Sequence, residues 1–341
     1  MPPAALQLSR DQILAFRRST QALDERMPAG PEALRRAAWA GLQDSVPRSA
    51  LHSLHARVEE VHDETLDDPA LAQVWGPRYT LFVVPADAHL AFTLSRLPQR
   101  GRTRERALDL ADRLGAFLAG RSMRVDDAAS GVGAGNANSL RYASLTGRIL
   151  VRWEGAREPH IRMAPTPDLE PMGALAELVR RYLHWYGPST ADALARWGGI
   201  DAPAAASAFE RLGSELVPVR TPLGEGWMLA ADEAAARRAA ATAAVARLLP
   251  SGDPYFLLWN ADRELLVPDP TARATLWTSR VWPGAVLLAG EIVGTWRRAT
   301  AVVSVEPWCG LSAAERRAVE EEAASLPLPG VSRDVAVSWA A

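Results

Sequence analysis

The chain has 341 residues, 48% of them hydrophobic, and a formal net charge of −2, so it is long enough for several folded units and is not a general polycation. Its single cysteine, Cys309, excludes an internal disulfide and is typical of a reducing compartment. There is no apolar run of about 18 residues and no basic, hydrophobic leader. We therefore expect a cytoplasmic protein without a membrane span.

All 38 basic residues are arginine. A GC-rich genome is the simplest explanation of this bias. Arginine is also the better residue for forked contacts with phosphate and for stacking on bases. Because the net charge is close to zero, any nucleic-acid surface has to be a local patch.

The first half of the chain contains two units in which helices precede β-prone segments. In residues 1–98, Ser9 and Gln12 have the spacing of a capping box at the start of a helix over 10–21. Two more helices (32–39 and 50–58) and a β-prone run (71–85) follow. Residues 99–168 give a helix (103–119), a glycine-rich turn (131–138) and a hairpin (149–153 and 159–163, with a turn at 154–157).

The third unit, residues 169–230, shows the same order most clearly. Its predicted helices are 175–186, 191–197 and 204–212, and its hairpin consists of 216–220 and 226–229. Residues 231–341 differ: we expect an alanine-rich helix (232–248), five short strands (255–259, 264–267, 285–288, 291–296 and 301–305), a helix (312–324) and a last strand (334–339). The sequence thus predicts an α+β protein with three tandem winged helix-turn-helix units and a C-terminal β-barrel-like domain, namely a small β-sheet or barrel with one covering helix. A short helical bundle also fits the first unit.

A polar break lies between the second and third predicted helices. Pro47 favours extended geometry at the preceding residue, so side chains alternate there. Gln43 and Ser45 should face one side and Asp44 the other. These three residues are either a small site or a helix stop with a capping serine.

Several short segments, in this order, resemble one family. They are 41–45, 78–81, 186–188, 195–199, 249–255 and 290–296, and together they are similar to the winged-helix bacterial DNA glycosylases that repair alkylation damage and interstrand crosslinks (the AlkZ and YcaQ group). The resemblance implies three winged helices and a β-barrel around a concave DNA-sized face. It also implies a monomer that acts on alkylated or crosslinked double-stranded DNA, without a cofactor or metal.

The family's catalytic motif is Gln-x-Gln or Gln-x-Asp. By this resemblance Gln43 takes the first position and Ser45 stands at the second, with Asp44 between them as a further catalytic candidate. The family's Arg-x-Thr-x-His run aligns with Arg78 and Thr80, but Phe82 replaces its histidine. Both departures bear on catalysis and leave the expected fold unchanged.

Five residues are candidates for DNA contact. Arg48 follows the polar break, and Arg78 and Thr80 belong to the Arg-x-Thr-x-His run. Arg297 and Arg298 follow a predicted strand. Phosphate contact is the expected role of these residues. His52, His55, His62 and Asp63 do not have the spacing of a zinc site. We expect His52 and His55 to be polar residues of a surface helix.

The leading functional hypothesis is a monofunctional DNA glycosylase that hydrolyses the N-glycosidic bond of cationic N7-alkylated or crosslinked purines. The lack of lysine excludes a lysine Schiff base, although an N-terminal amine could serve. The alternative is a catalytically silent protein that binds damaged or distorted DNA. A transcriptional regulator fits less well, because the helix after Asp201 is filled with alanine and cannot read base edges.

Overall fold

The computed structural model describes residues 6–46, 48–153, 159–239, 245–328, 330–331 and 334–340 and has a mixed α+β fold. Its helices are α1 Arg10–Thr20, α2 Pro31–Ala37, α3 Ser49–His55, α4 His89–Thr93, α5 Arg102–Leu118, α6 Val125–Gly131, α7 Pro171–Tyr186, α8 Ala191–Gly198, α9 Ala202–Leu212, α10 Glu233–Arg238, α11 Ala261–Leu266, α12 Pro270–Leu276 and α13 Ala313–Ala324. Its strands are β1 Leu6–Gln7, β2 Leu42–Gln43, β3 Leu71–Trp75, β4 Leu81–Pro85, β5 Met123–Arg124, β6 Ile149–Arg152, β7 His160–Met163, β8 Leu216–Thr221, β9 Gly224–Leu229, β10 Ala246–Leu249, β11 Gly284–Leu288, β12 Glu291–Ala299, β13 Val302–Pro307 and β14 Ala336–Trp339.

The capping box predicted for α1 is confirmed. The backbone N–H of Gln12 donates to Ser9 Oγ at 3.3 Å, and the backbone N–H of Ser9 donates to Gln12 Oε1 at 3.0 Å. These bonds satisfy N–H groups that have no partner inside the helix. The local sequence therefore sets where α1 begins.

A six-stranded sheet joins the first two predicted units in the order β2-β4-β3-β6-β7-β5. The two halves meet where Gln73 of β3 pairs with Val151 of β6. The buried Gln73 side chain adds two bonds across this seam: its Oε1 accepts from the backbone N–H of Trp153 at 2.6 Å, and its Nε2 donates to the Trp153 carbonyl at 3.3 Å. One sheet thus spans the predicted boundary at residues 98–99. The predicted turn at 154–157 lies outside the described residues.

One pairing pattern occurs three times along the chain. In each case a short extended segment lies between helices and pairs with the second strand of the hairpin that follows. The pairs are β2 with β4, β5 with β7, and Ser189 with Trp227 of β9. The second and third occurrences also place two helical segments before the hairpin, namely α6 with the 3₁₀ helix Ala137–Thr146, and α8 with α9.

The C-terminal residues form an open sheet in the order β10-β11-β12-β13-β14, which corrects the predicted barrel. Within the described residues β10 and β14 are its two edges. The chain leaves β13, forms α13 and then adds β14 parallel to β13 on the outer side, so no strand returns to pair with β10. Val319 and Ala323 of α13 are buried in the core on one face of this sheet.

Three further predictions in this region were wrong. Of the helix predicted over 232–248, the described residues include α10, whereas the sequence from Ala246 forms β10; residues 240–244 lie outside the described part. The strands predicted over 255–259 and 264–267 are instead a 3₁₀ turn, Pro254–Phe256, and α11. A short buried apolar run has no period that separates strand from helix, and long-range pairing overrides alanine's helix propensity.

A buried ion pair connects three parts of the fold. The side chains of Arg57 and Asp253 are both 0% exposed, and two N–H groups of the guanidinium donate to the carboxylate at 2.8 Å each. Arg57 also donates to Gln21 Oε1 at 3.1 Å and lies over the Trp185 ring at 5.6 Å. The pair therefore ties the loop before residue 254 to the segment after α3 and to α7.

We predict that Asp253→Asn lowers the free energy of unfolding by about 3–5 kcal/mol, because it leaves the Arg57 cation buried without its counter-charge. Denaturant unfolding measures this change. Asp109→Asn is the matched control: it breaks the exposed Arg113–Asp109 pair (3.0 Å) and should cost under about 1 kcal/mol. Equal losses in the two variants would contradict the prediction.

Candidate active site

The polar break is extended, as the sequence predicts, and its side chains alternate. Gln43 lies on β2, which is held against β4 through the Gln43–Phe82 pair. Gln43 is half-buried and Ser45 is exposed. They face the same side, where Gln43 Nε2 donates to Ser45 Oγ at 3.0 Å. The amide is therefore at the surface of the protein and not sealed in its core.

Arg78 fixes the other end of this amide. Its Nη2 donates to Gln43 Oε1 at 3.3 Å, and its Nη1 donates to the Trp197 carbonyl. The guanidinium lies over the Trp259 ring at 4.5 Å, and burial lowers the Arg78 pKa to about 10. Together with Ser45, Arg78 defines which end of the Gln43 amide is oxygen and which is nitrogen.

The loop before the buried Asp253 closes the site from a third side. Gly252 has φ +76°, and a Cβ at this position would lie 3.5 Å from Gln43 Cδ. Residues other than glycine rarely adopt this backbone conformation. The site thus brings together β2, the turn at Arg78, the C-terminal end of α8 and the loop 250–253.

Asp44 points away from the amide. Its side chain is buried, and its Oδ1 accepts from the backbone N–H of Ala50 at 3.0 Å and lies 3.4 Å from Ser49 Oγ. Ser49 Oγ also donates to the Gln43 carbonyl at 2.8 Å. Burial raises the pKa of Asp44 to about 6. Asp44 therefore caps α3, the role that the helix-stop interpretation gave to a serine.

The other predicted contacts lie in different places. Arg48 has φ +67° at the start of α3 and lines a crevice of about 220 Å³ with Asp44. Thr80 Oγ1 donates to the Pro77 carbonyl at 2.9 Å, which stabilises the turn at Arg78. Arg297 and Arg298 are exposed on β12. They line a cleft of about 250 Å³ that is also lined by Val46, directly after Ser45.

The histidines of α3 are buried, which corrects the expected polar surface helix. His52 Nε2 lies 3.2 Å from the Pro327 carbonyl, and His55 Nε2 lies 3.0 Å from both Ser325 Oγ and Arg26 Nη2. Burial lowers the pKa of His52 to about 4 and that of His55 to about 3. Across the described ranges, no three His, Cys, Asp or Glu side chains are grouped so that they could hold a metal ion.

Sequence reasoning missed Trp259, Gly252 and the Trp197 carbonyl. The sequence marks the residues around Gly252 and Trp197 only as family-like segments and predicts a strand at Trp259. Their contacts with Gln43 and Arg78 join positions far apart in sequence, so no local period marks them.

Comparison with known proteins places the chain in a family. The family model described as DNA glycosylase AlkZ-like matches residues 34–327, and the chain belongs to this family. An interstrand DNA cross-link repair glycosylase of Streptomyces sahachiroi is 30% identical over 172 residues, a match that covers 48% of this chain and 45% of that relative. The solved structure of Streptomyces sahachiroi DNA glycosylase AlkZ matches with a TM-score of 0.81 and 20% identity, covering 98% of this chain and all of that one. In the part of the chain that is described, we find no helix of the length and hydrophobicity needed to cross a membrane.

We predict that stability falls as pH drops from 6.5 toward 4. In this window the unfolded chain binds protons on His52 and His55 that the folded protein excludes, with a slope of at most about 1.4 kcal/mol per pH unit for each histidine. Thermal unfolding across this range measures the effect. Asp44 acts in the opposite sense, because its raised pKa lets the folded protein keep a proton that the unfolded chain has lost. Its contribution to the free energy of unfolding therefore decreases as pH rises from about 4 to 6.

The double variant His52→Gln/His55→Gln, compared in an Asp44→Asn background, should have a flatter pH profile than the background alone. An unchanged slope would contradict the assignment of the acid sensitivity to these histidines.

We also predict that Asp44→Ala lowers the free energy of unfolding by about 0.5–2 kcal/mol, because the N–H of Ala50 loses its acceptor. Asp44→Asn keeps an acceptor oxygen and should retain most of the stability at pH 7. Denaturant unfolding of the two variants distinguishes the roles of oxygen and charge; equal losses would argue against the cap.

Proposed function

We propose that this protein is a DNA glycosylase that hydrolyses the N-glycosidic bond of cationic N7-alkylated or crosslinked purines in duplex DNA. The observation that carries the proposal is the Gln43 amide, accessible at the surface and oriented at both ends by Ser45 and Arg78. Membership in the AlkZ-like family and the named activity of the Streptomyces relative support it.

We also propose that the three repeated units, 1–98, 99–168 and 169–230, are tandem winged helices, followed by a β-rich unit over 231–341. The threefold recurrence of one strand pairing supports this count. In this arrangement the protein acts as a cytoplasmic monomer, and its arginines approach the DNA as local patches.

The chemistry suits a neutral amide. Water attacks the anomeric carbon, the bond from that carbon to N9 breaks, and its electron pair goes to the purine. Because an N7-alkylated purine starts with a positive charge, it leaves neutral and needs no general acid. The attacking water releases its proton to solvent. The remaining lone pair of Gln43 Oε1 orients this water and stabilises the positive charge that develops on the sugar.

Ser45 helps Gln43 to position the water, although its side chain is shorter than the glutamine or aspartate at the second position of the family motif. Its oxygen accepts from Gln43 Nε2, so its own hydrogen remains available for a water or a phosphate. Asp44 positions the backbone from the other face of β2. Around this centre, Arg48, Arg297 and Arg298 are the proposed phosphate contacts, and Thr80 supports the Arg78 turn.

A catalytically silent DNA-binding protein is the second candidate. Ser45 favours it, since it replaces a larger catalytic group, and so does the Arg78 cation, which already occupies one lone pair of Gln43 Oε1. A transcriptional regulator has less support, because the N-terminal half of α9 is mainly alanine.

We predict that Gln43→Ala lowers the single-turnover rate of base release from N7-methylguanine duplex by about 10²–10³-fold, because the group that orients water is lost. Affinity for undamaged duplex should stay within about twofold, since the variant keeps every arginine. Gln7→Ala, at an exposed glutamine of β1, is the matched control and should behave as wild type.

Ser45→Gln restores the family pattern and should raise the rate. Binding of modified duplex without base release, unchanged in Gln43→Ala, would favour the silent protein instead. A footprint at one defined sequence would favour a regulator.

A further inference from the structure

A cluster of arginines and tyrosines lies next to Arg78, across the join between the first two units. The rings of Tyr79 and Tyr142 are 5.5 Å apart. Arg96 lies over the Tyr79 ring and Arg106 over the Tyr142 ring, each at 4.2 Å. Arg141 Nη1 donates to the Tyr79 carbonyl at 3.3 Å. We call these five residues the Arg–Tyr cluster.

The cluster has no counter-charge. Within the described ranges, none of its three guanidinium groups, nor that of Arg78, forms an ion pair with a carboxylate. Arginines elsewhere do so, for example Arg10 with Glu291 and Arg180 with Glu215, at 2.7 Å in each case. Arg96 is buried, its Nε has no hydrogen-bond partner, and desolvation lowers its pKa to about 10. Buried cations without a counter-ion are costly, which indicates a site arranged to receive an anion.

The accessible part of the cluster has the composition of a nucleic-acid surface. Arg106 is exposed, and Tyr79, Arg141 and Tyr142 are half-buried. Arg141 uses only one nitrogen for its backbone contact, so the others remain to donate. Guanidinium groups make forked contacts with phosphate, and tyrosine rings pack on sugars and bases. Tyr79 directly follows Arg78, which contacts Gln43, so the cluster begins one residue from the Gln43 site.

We propose that the Arg–Tyr cluster binds two phosphates of the DNA strand that flanks the lesion on the side of the second unit. Arg106 and Arg141 make the contacts. The Tyr142 ring holds Arg106 and the Tyr79 carbonyl holds Arg141, while Arg96, over the Tyr79 ring, adds positive potential. This inference rests on the proposed function, since it takes DNA as the partner and names where the strand leaves the catalytic site.

Arg106→Gln and Arg141→Gln test the proposal through the salt dependence of binding to undamaged duplex. Each variant should lower the slope of log K against log salt by about 0.9, the value for one lost phosphate contact, and the double variant by about 1.8. Arg317→Gln is the matched control, because this arginine is exposed on α13, away from the site. It should keep the wild-type slope.

Base release at saturating enzyme is measured in parallel and should be unchanged in Arg317→Gln. If the slopes are lowered but neither the wild type nor any variant releases base, the proposed phosphate binding by the cluster stands and the proposed glycosylase function is wrong. Wild-type slopes in Arg106→Gln and the double variant would overturn the cluster, even with full base release. So would an equal change in Arg317→Gln, because the effect would then be one of net charge. Thermal unfolding of Arg141→Gln shows whether this variant is folded. If it is not folded, the slope of Arg106→Gln alone decides whether the cluster binds phosphate.

Discussion

The buried pair of Arg57 and Asp253 determines how the candidate site is assembled. Desolvation of two charges costs several kcal/mol, which close, well-oriented pairing and further hydrogen bonds to both groups offset. Here the set of hydrogen bonds is large: Arg57 bonds to both carboxylate oxygens, to Gln21 and to the Ser53 carbonyl. Because Gly252 precedes Asp253 and packs against Gln43, the same pair holds the loop 250–253 against the Gln43 amide.

Part of the backbone strain among the described residues lies near this amide. Arg48, Arg78, Tyr79 and Asn260 have positive φ without being glycine, at a cost on the order of 1 kcal/mol or more each. The Arg78 guanidinium offsets part of this cost through its contacts with Trp197, Trp259 and Gln43. The strained turn therefore places the Arg78 guanidinium at the oxygen of the Gln43 amide, and the orientation of the amide is set before any substrate binds. Such preorganisation is what a weak electrostatic catalyst needs.

Elements governed by local chemistry could be predicted from the sequence. The Ser9 capping box, the hairpin of β8 and β9 and the alternation of Gln43, Asp44 and Ser45 follow from residue type and period. Features that depend on distant partners could not. The segment at Ala246 is a strand because β11 is beside it, and His52 is buried because residues 325–327 cover it. The resemblance supplied Gln43 and Arg78 as candidates, but only the fold brings Trp259 onto Arg78.

The register of β2 decides which charges lie beside the Gln43 amide. On the Asp44 side, the crevice is lined by Asp63, Glu64 and Asp67 beside Arg48 and Arg152, a net acidic surface. On the Gln43 side the neighbouring cation, Arg78, has no carboxylate partner among the described residues. A slip of one residue would exchange the two faces, directing Asp44 at Arg78 and burying the amide among acids. The pairing of Gln43 with Phe82 and the bond from Ala50 to Asp44 prevent that slip. In a chain with a net charge near zero, one short strand therefore separates the Gln43 face from the acidic crevice on the Asp44 side.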